Sequence, residues 1–357
     1  MKKGPAPLRF PLDAIGRGTN NEFMTARPAT TPTGCRLITK NFTTMNAIIL
    51  PAYGTAETLQ YQEVDKPTPK SDEVLVHIRA AGVNHIDYEK ASGVMQHVFP
   101  LTFPWIPGYD FAGIIETVGN NVKNVAVGDE VYGTSTHSGT YAEYVVIHPD
   151  QFARKPRTLS FVEAASVPVS AETAWQVLFD HAHLGQGQTV LIHGGAGAVG
   201  TYAVQLAHQA GATVIVTASS HTKDIVSRLG ADLVIDYQLE GFENLVSEVD
   251  VVIDLVGGSM QERSYGVLKK GGYLVAINQP VSPTLASQYG IHAVFVELHP
   301  SRDGLSRIAQ LIDTGQLRIH MGNVYPLSKA TEAWQELTGQ PVTNRPKRSG
   351  RIVLQVD

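Results

Sequence analysis

From Met45 the chain runs in short stretches where apolar residues, many of them β-branched, alternate with polar ones or cluster. MNAIIL (45–50), LQYQEV (59–64), DEVLVHIRAAGVN (72–84), FAGIIETVG (111–119), GDEVYG (128–133) and TYAEYVVI (140–147) predict strands of a small β-rich unit. Gly and Pro-Lys-Ser punctuation separates them, and no helical period of convincing length precedes SFVEAASVP (160–168). The rhythm then changes. QTVLIHGG (188–195), ATVIVTAS (212–219), VDVVIDLVGG (249–258) and GGYLVAI (271–277) are near-continuous Val/Ile runs with helical patterns between them. This alternation predicts a parallel sheet covered on both faces, to which IHAVFVEL (291–298) adds a further strand. Amphipathic patterns around SRIAQLIDTG and SKATEAWQEL and a last strand, RIVLQV, most economically return to the first unit. The pattern predicts a β-rich domain with a doubly wound α/β domain inserted in it.

The first 44 residues share neither rhythm. They hold seven Lys/Arg against two acids, with Pro, Gly, Thr and Asn throughout. The plainer reading is a poorly ordered extension, and the sharper one an organelle transit peptide. Pro5, Pro7 and Pro11 oppose the basic amphipathic helix that a transit peptide would form. The segment is left out of the fold.

Composition narrows the class only a little. Charged residues are 17%, apolar residues 43%, and the formal net charge is -5 with no long basic run, so nothing suggests a nucleic-acid partner. No apolar stretch reaches the roughly 18 residues that span a bilayer. A single cysteine, Cys35, excludes an internal disulfide framework and any Cys-rich zinc site. A reducing, cytoplasmic setting follows, with organelle targeting by residues 1–44 left open.

The candidate chemistry begins at HGGAGAVG (193–200). Gly195, Gly197 and Gly200 match G-x-G-x-x-G between a strand and a helix whose buried face is Val199, Tyr202, Ala203, Leu206 and Ala207. The three glycines give a tight turn, a bare backbone that admits pyrophosphate, and close helix-on-strand packing. The helix N-terminus then offers unpaired N–H groups and partial positive charge to the diphosphate. An NAD site needs a carboxylate about 20 residues on, to accept the ribose hydroxyls. No Asp or Glu lies between Gly195 and Lys223; the chain offers Ser219, Ser220 and Lys223 instead. Hydrogen bonds to a charged group contribute roughly 1.5–3 kcal/mol each. Two such bonds favour NADPH by about two orders of magnitude. NADH is the runner-up.

With that turn in place, the chain from Met45 onward resembles the zinc-independent, quinone oxidoreductase (ζ-crystallin-like) branch of the medium-chain dehydrogenase/reductase superfamily. AAGVNHIDYEKASG (80–93), PWIPGYDFAGIIETVG (104–119), SGTYAEYVV (138–146), HGGAGAVG and SGRIVLQV carry the likeness. It implies a GroES-like catalytic domain over 45–167 and 299–357 and a Rossmann domain over 168–298. It further implies NADPH contacts from Ala198 and Val199 and phosphate contacts from Ser219, Ser220 and Lys223, with Tyr237 beside them. Asn278 would lie along the nicotinamide, Thr173 would open a helix near the same face, and Asn84, Ile86 and Asp87 would line the interdomain cleft. It also implies a homodimer through the strand at 291–298.

Zinc-dependent relatives place a cysteine where this chain has Asn84, and Gly-His-Glu where it has Gly108-Tyr109-Asp110. Combinations of His85, Asp87, His97 and Asp110, or His181 and His183, match no closed ligand set, so no metal is expected. Reduction of an isolated ketone creates an alkoxide that profits from a Lewis acid. Reduction of a quinone or enone spreads the charge, and a few hydrogen-bond donors suffice. Asn84 is a candidate for orienting ribose or substrate oxygen and Tyr88 for donating a proton, with Tyr109 and Tyr132 as reserves. Asp87 is placed at the site, with helix capping as its plainer role. The leading expectation is an NADPH-dependent reductase of quinones or α,β-unsaturated carbonyls. The alternatives are an enoyl-thioester reductase, another zinc-free carbonyl dehydrogenase, or a non-catalytic NADPH-binding structural or sensor protein.

Overall fold

A computed structural model describes residues 43–342 and 349–356. The chain begins with the antiparallel pair β1 (Thr44–Ile49) and β2 (Gln60–Asp65). It continues through β3 (Val74–Gly82), α1 (His85–Ala91), β4 (Asp110–Val118), β5 (Glu130–Thr134), β6 (Tyr144–Ile147) and β7 (Phe152–Arg154). The expectation for residues 1–44 lies outside the described residues except at Thr43 and Thr44, and Thr44 already pairs with Asp65. The helix α1 is an element that the strand-dominated pattern did not announce. The Asp87 carboxylate closes its first turn by accepting the Asn84 backbone N–H at 2.8 Å.

The helical segment expected over 160–168 is two helices. Ser160 and Glu163 form a capping box for α2 (Phe161–Ala165), and Pro168, whose ring fixes φ and lacks an N–H, starts α3 (Pro168–Trp175). The alternation then runs β8 (Thr189–His193), α4 (Ala198–Gln209), β9 (Thr213–Ala218), α5 (Lys223–Arg228) and β10 (Leu233–Asp236). After β11 (Val249–Asp254) and α6 (Ser259–Ser264) come β12 (Leu268–Ala276), α7 (Pro283–Tyr289) and β13 (His292–Phe295). These six strands lie parallel in the order β10-β9-β8-β11-β12-β13. The order reverses beside β8, which opens a crevice at the carboxyl ends of the strands. Strand β10, only four residues before the polar run after Tyr237, was not marked by periodicity.

The chain returns to the first unit through α8 (Arg302–Asp313), β14 (Met321–Pro326), α9 (Ala330–Leu337) and β15 (Arg351–Gln355). The second sheet runs β14-β15-β3-β4-β5-β7, with β6 also paired to β3. The sequence pattern had missed β14, because MGNVYP interrupts its apolar positions with Gly and Asn. One buried cluster passes through both units, joining Ala80, Ala112 and Tyr132 to Val190, Val204 and Leu305 across the Ala-rich helices α2 and α3. Small residues at this seam let the two sheets approach a shared pair of helices. Among the described residues, no helix is long and apolar enough to cross a membrane.

Candidate coenzyme and active site

The turn after β8 is shaped by four glycines rather than three. Gly194, outside the G-x-G-x-x-G match, carries the positive φ of 72° that reverses the chain. A Cβ on Gly195 would sit 2.2 Å from Val216 Cγ1 on the neighbouring strand β9. One on Gly200 would meet the Gly194 carbonyl oxygen at 2.3 Å. These two positions press α4 onto the sheet. Gly197 is exposed at the N-cap of α4, with no side chain capping the helix. The N–H groups of Ala198 and Val199 therefore begin the helix without intrahelical acceptors, as an anion site needs.

Beneath the turn is a residue that the motif reading missed. His193 is fully buried, with Nδ1 3.1 Å from Thr217 Oγ1 and Nε2 2.9 Å from Ser264 Oγ. Burial pushes its pKa down to about 4, so the ring is neutral and ties β8 to β9 and α6. The next strand end is fixed by Asp254, whose Oδ1 accepts the N–H groups of Val256 and Gly257 at 3.0 and 2.9 Å. Asn278, just past β12, donates its amide to the Leu255 carbonyl at 2.7 Å and so braces that same loop.

At the end of β9, Ser219 Oγ lies 3.1 Å from Thr222 Oγ1, and Lys223 is exposed at the start of α5. Tyr237 stands 54% exposed at the end of β10. Ser220 donates its hydroxyl to Asp236, the last residue of β10. The sequence had offered no carboxylate on β9; the sheet brings one from the next strand, where Asp236 is in register with Ala218. The glycine turn, Ser219, Ser220, Lys223, Tyr237 and Asn278 thus occupy neighbouring strand ends. Bare backbone at Gly197, free helix N–H groups and the hydroxyl–ammonium turn suit a dinucleotide with its phosphates on this edge.

Thr173 differs from its expected place. Pro168 starts α3, so Thr173 lies in the second turn, and its hydroxyl donates to the Val169 carbonyl at 2.6 Å. Its neighbour Glu172 is a buried acid that the sequence reading did not single out. Burial pushes its pKa up to about 8, and Oε1 accepts the Ser301 N–H at 3.0 Å. That bond joins α3 to the residue before α8.

A buried polar cluster lies at the N-terminus of α3. Asn84 Nδ2 donates to Asp110 Oδ2 at 3.0 Å, and Arg351 Nη2 donates to Asn84 Oδ1 at 2.7 Å and to Asp110 Oδ2 at 3.2 Å. Asp110 Oδ1 accepts the Val169 N–H at 2.8 Å, and Arg351 Nε donates to the Ser166 carbonyl at 3.1 Å. Burial raises the Asp110 pKa, and the Arg351 guanidinium opposes that rise. Both polar ends of the Asn84 amide thus have a partner inside the protein, at the position expected to orient ribose or substrate oxygen.

Asp87 is fully buried, with one carboxylate oxygen engaged and Oδ1 without a partner among the described residues. Its Oδ2 takes the Asn84 N–H and the Tyr141 hydroxyl, at 2.8 and 2.7 Å. Burial pushes its pKa up to about 7. The Tyr88 ring packs edge-on against Trp334, with centroids 5.7 Å apart, and Tyr132 donates its hydroxyl to the Leu305 carbonyl at 2.6 Å. The direction of α1 packs the partly buried Tyr88 ring against the core, and Tyr132 is fully buried. Tyr109 is buried, its pKa raised by burial and by the Asp87 charge. One turn beyond Asp87, the half-buried Lys90 ammonium sits 4.8 Å from the centre of the Tyr109 ring and 4.7 Å from that of Phe99. Burial lowers its pKa. No motif marked Lys90; its place on α1 is what brings a cation against Tyr109.

These residues do not fit a metal. Of the residues aligned with the Cys and the Gly-His-Glu of zinc-dependent relatives, Tyr109 offers only a phenol, and Asn84 and Asp110 are bound to a guanidinium that would repel a dication. Among the described residues no group of three or more His, Cys, Asp or Glu could hold one.

Two family models match: "Alcohol dehydrogenase GroES-like domain" over residues 70–157 and "Zinc-binding dehydrogenase" over residues 229–343. A tomato (Solanum lycopersicum) 2-methylene-furan-3-one reductase is 40% identical over 65% of this chain, and the chain spans only 61% of that relative. An Arabidopsis thaliana NADPH-dependent alkenal/one oxidoreductase, chloroplastic, is 32% identical over 84% of this chain and 78% of its own length. The solved quinone oxidoreductase of Coxiella burnetii superposes with a TM-score of 0.80 at 33% identity, covering 88% of this chain and all of that one. The chain belongs to the quinone oxidoreductase (ζ-crystallin-like) family of medium-chain dehydrogenases/reductases, a family of oxidoreductases that work with a nicotinamide coenzyme.

Proposed function

We propose that this protein is an NADPH-dependent reductase of quinones or α,β-unsaturated carbonyls that works without a metal ion. The observation that carries the reading is that Asn84 and Tyr109 stand where zinc-dependent relatives present Cys and His, with the Arg351 guanidinium bound to Asn84 and Asp110. The relatives' names, alkenal/one oxidoreductase and quinone oxidoreductase, agree with conjugated acceptors.

When bound, the dinucleotide supplies the hydride. The N–H groups of Ala198 and Val199 would hold its diphosphate, while Ser219, Ser220 and Lys223, with Tyr237 beside them, would hold the 2′-phosphate. Asn278 keeps the Leu255–Gly258 loop in place along the coenzyme's path. Thr173, with its hydroxyl engaged on α3, shapes that wall by packing. Asn84 and Asp87 act by position: they fix the start of α1 and through it the cleft wall. Lys90, desolvated against Tyr109 and Phe99, is the group we assign to the negative charge that develops on the acceptor oxygen. Charge spread over a conjugated acceptor needs only such a donor, and solvent supplies the proton.

Domain limits of 45–167 with 299–357, and 168–298, are proposed, and the division of strands between the seven-stranded and six-stranded sheets supports them. The open edge of β13 is proposed to pair with its twin in a homodimer, which light scattering checks. A cytoplasmic site is proposed, and N-terminal sequencing of protein isolated from cells would reveal import if residues 1–44 were removed.

The test is a panel of a quinone, a 2-alkenal, an enoyl-thioester and a saturated ketone, each with NADPH followed at 340 nm. Rapid turnover of the first two supports the reading. Turnover confined to the thioester would favour an enoyl reductase, and tight NADPH binding with no turnover a binding protein.

A further inference from the structure

We infer that Asp236 is a specificity-determining residue for the coenzyme: it occupies the Ser220 hydroxyl in the free protein, weakens the preference for a phosphorylated ribose, and lets NADH bind as well. The inference rests on the proposed seat of the 2′-phosphate at Ser219, Ser220 and Lys223.

The geometry is local and complete. Asp236 Oδ2 accepts the Ser220 hydroxyl, and Oδ1 accepts the Gln238 backbone N–H at 3.0 Å. The parallel register of β9 and β10 places Asp236 beside Ala218, one residue before the serine pair, so the carboxylate belongs to the seat itself. The Ser220 hydroxyl, the Gln238 N–H and the nearby Lys223 charge hold its carboxyl below the ordinary carboxylate range. It is therefore an anion wherever the enzyme would work.

A 2′-phosphate can take the Ser220 hydroxyl only by displacing this carboxylate, and two anions would then face each other across one hydroxyl and one ammonium. Like charges so close oppose binding, although exposure and salt screen the effect. A 2′-hydroxyl meets no such conflict. It can donate to Asp236, as ribose hydroxyls do to the acidic residue of an NAD site. The seat thus combines a phosphate site, from Lys223 and the serines, with a hydroxyl site, from Asp236. Its charges nearly cancel, so the KM for NADPH should depend weakly on ionic strength.

The experiment measures kcat and KM for NADPH and NADH, at low and high NaCl, in the wild type, Asp236→Asn, Asp236→Ser and Lys223→Glu. Asp236→Asn keeps an acceptor for the Gln238 N–H, can donate its amide to the Ser220 hydroxyl oxygen, and removes the charge; Asp236→Ser is the second variant should the first fold poorly. The expected result is a rise of about tenfold in the NADPH-over-NADH ratio of kcat/KM, carried by KM rather than kcat. NADPH binding should become clearly salt-sensitive, since an unopposed ammonium now faces the phosphate. An unchanged ratio in both Asp236 variants overturns the inference. If Lys223→Glu abolishes the NADPH preference in that same experiment, the phosphate seat stands and only the role of Asp236 fails. If Lys223→Glu leaves the preference intact, the seat lies elsewhere, and the inference falls with it.

Discussion

Arg351, on the last strand, donates to Asp110, at the start of β4, across 241 residues of sequence and a separation of 3.2 Å. Both are buried, and together with Asn84 they lock the ends of β3, β4 and β15 to the N-terminus of α3. Breaking a buried pair strands a charge. Arg351→Met should therefore lower stability by about 3–5 kcal/mol in urea unfolding. Adding Asp110→Asn should restore part of that loss, because no uncompensated carboxylate is left. A single variant as stable as the wild type would show that the pair carries no structural role.

The glycine turn makes a sharper prediction about sterics. A methyl on Gly200 would meet only backbone, the Gly194 oxygen at 2.3 Å and the Gly195 Cα at 2.6 Å, so nothing there can rotate away. Gly200→Ala should cost about 1–3 kcal/mol of stability. It should also raise the coenzyme KM about tenfold by lifting α4 off the turn. Fluorescence titration with NADPH checks this, and unchanged affinity would separate the turn from the coenzyme.

Among the side chains of α1, the structure predicts opposite outcomes for two neighbours. Tyr88→Phe should leave kcat within about twofold, because the ring is a packing partner of Trp334. Lys90→Met should lower kcat/KM for an enone by about tenfold or more, as removal of a charged donor to a developing oxyanion does. The reverse ranking would return the donor role to Tyr88.

Burial of Glu172 gives a pH signature. Its pKa is raised from 4.5 in the unfolded chain to about 8, so the folded state holds a proton that the unfolded state has already released. The stability this contributes is full below about pH 4.5 and lost as pH rises toward 8. Asp87, raised to about 7, acts in the same direction. Glu172→Gln should therefore flatten the fall in Tm between pH 5 and pH 8.5 by about 3 °C or more. Parallel Tm curves for variant and wild type would refute the assignment.

Much of this was legible in the sequence for local reasons. The glycine turn, the Val/Ile strands and the serines after β9 are contiguous patterns, and each lies on the element expected of it. What escaped was set by tertiary neighbours. Asp236 was missed because the search for a ribose carboxylate ran along β9, whereas the sheet supplies it from β10. Arg351 and Glu172 act through partners more than a hundred residues away. For Tyr88 and Asn84 the sequence offered the side-chain chemistry, and their contacts with Trp334 and with the Arg351 guanidinium come from distant segments.

The central claim, that this reductase transfers its hydride without a metal ion, has one direct test. Protein dialysed exhaustively against EDTA and then assayed with NADPH and a quinone should retain its rate within about twofold, with no response to added zinc and less than a tenth of an equivalent of bound transition metal. A rate that collapses on chelation and returns with stoichiometric zinc would contradict it.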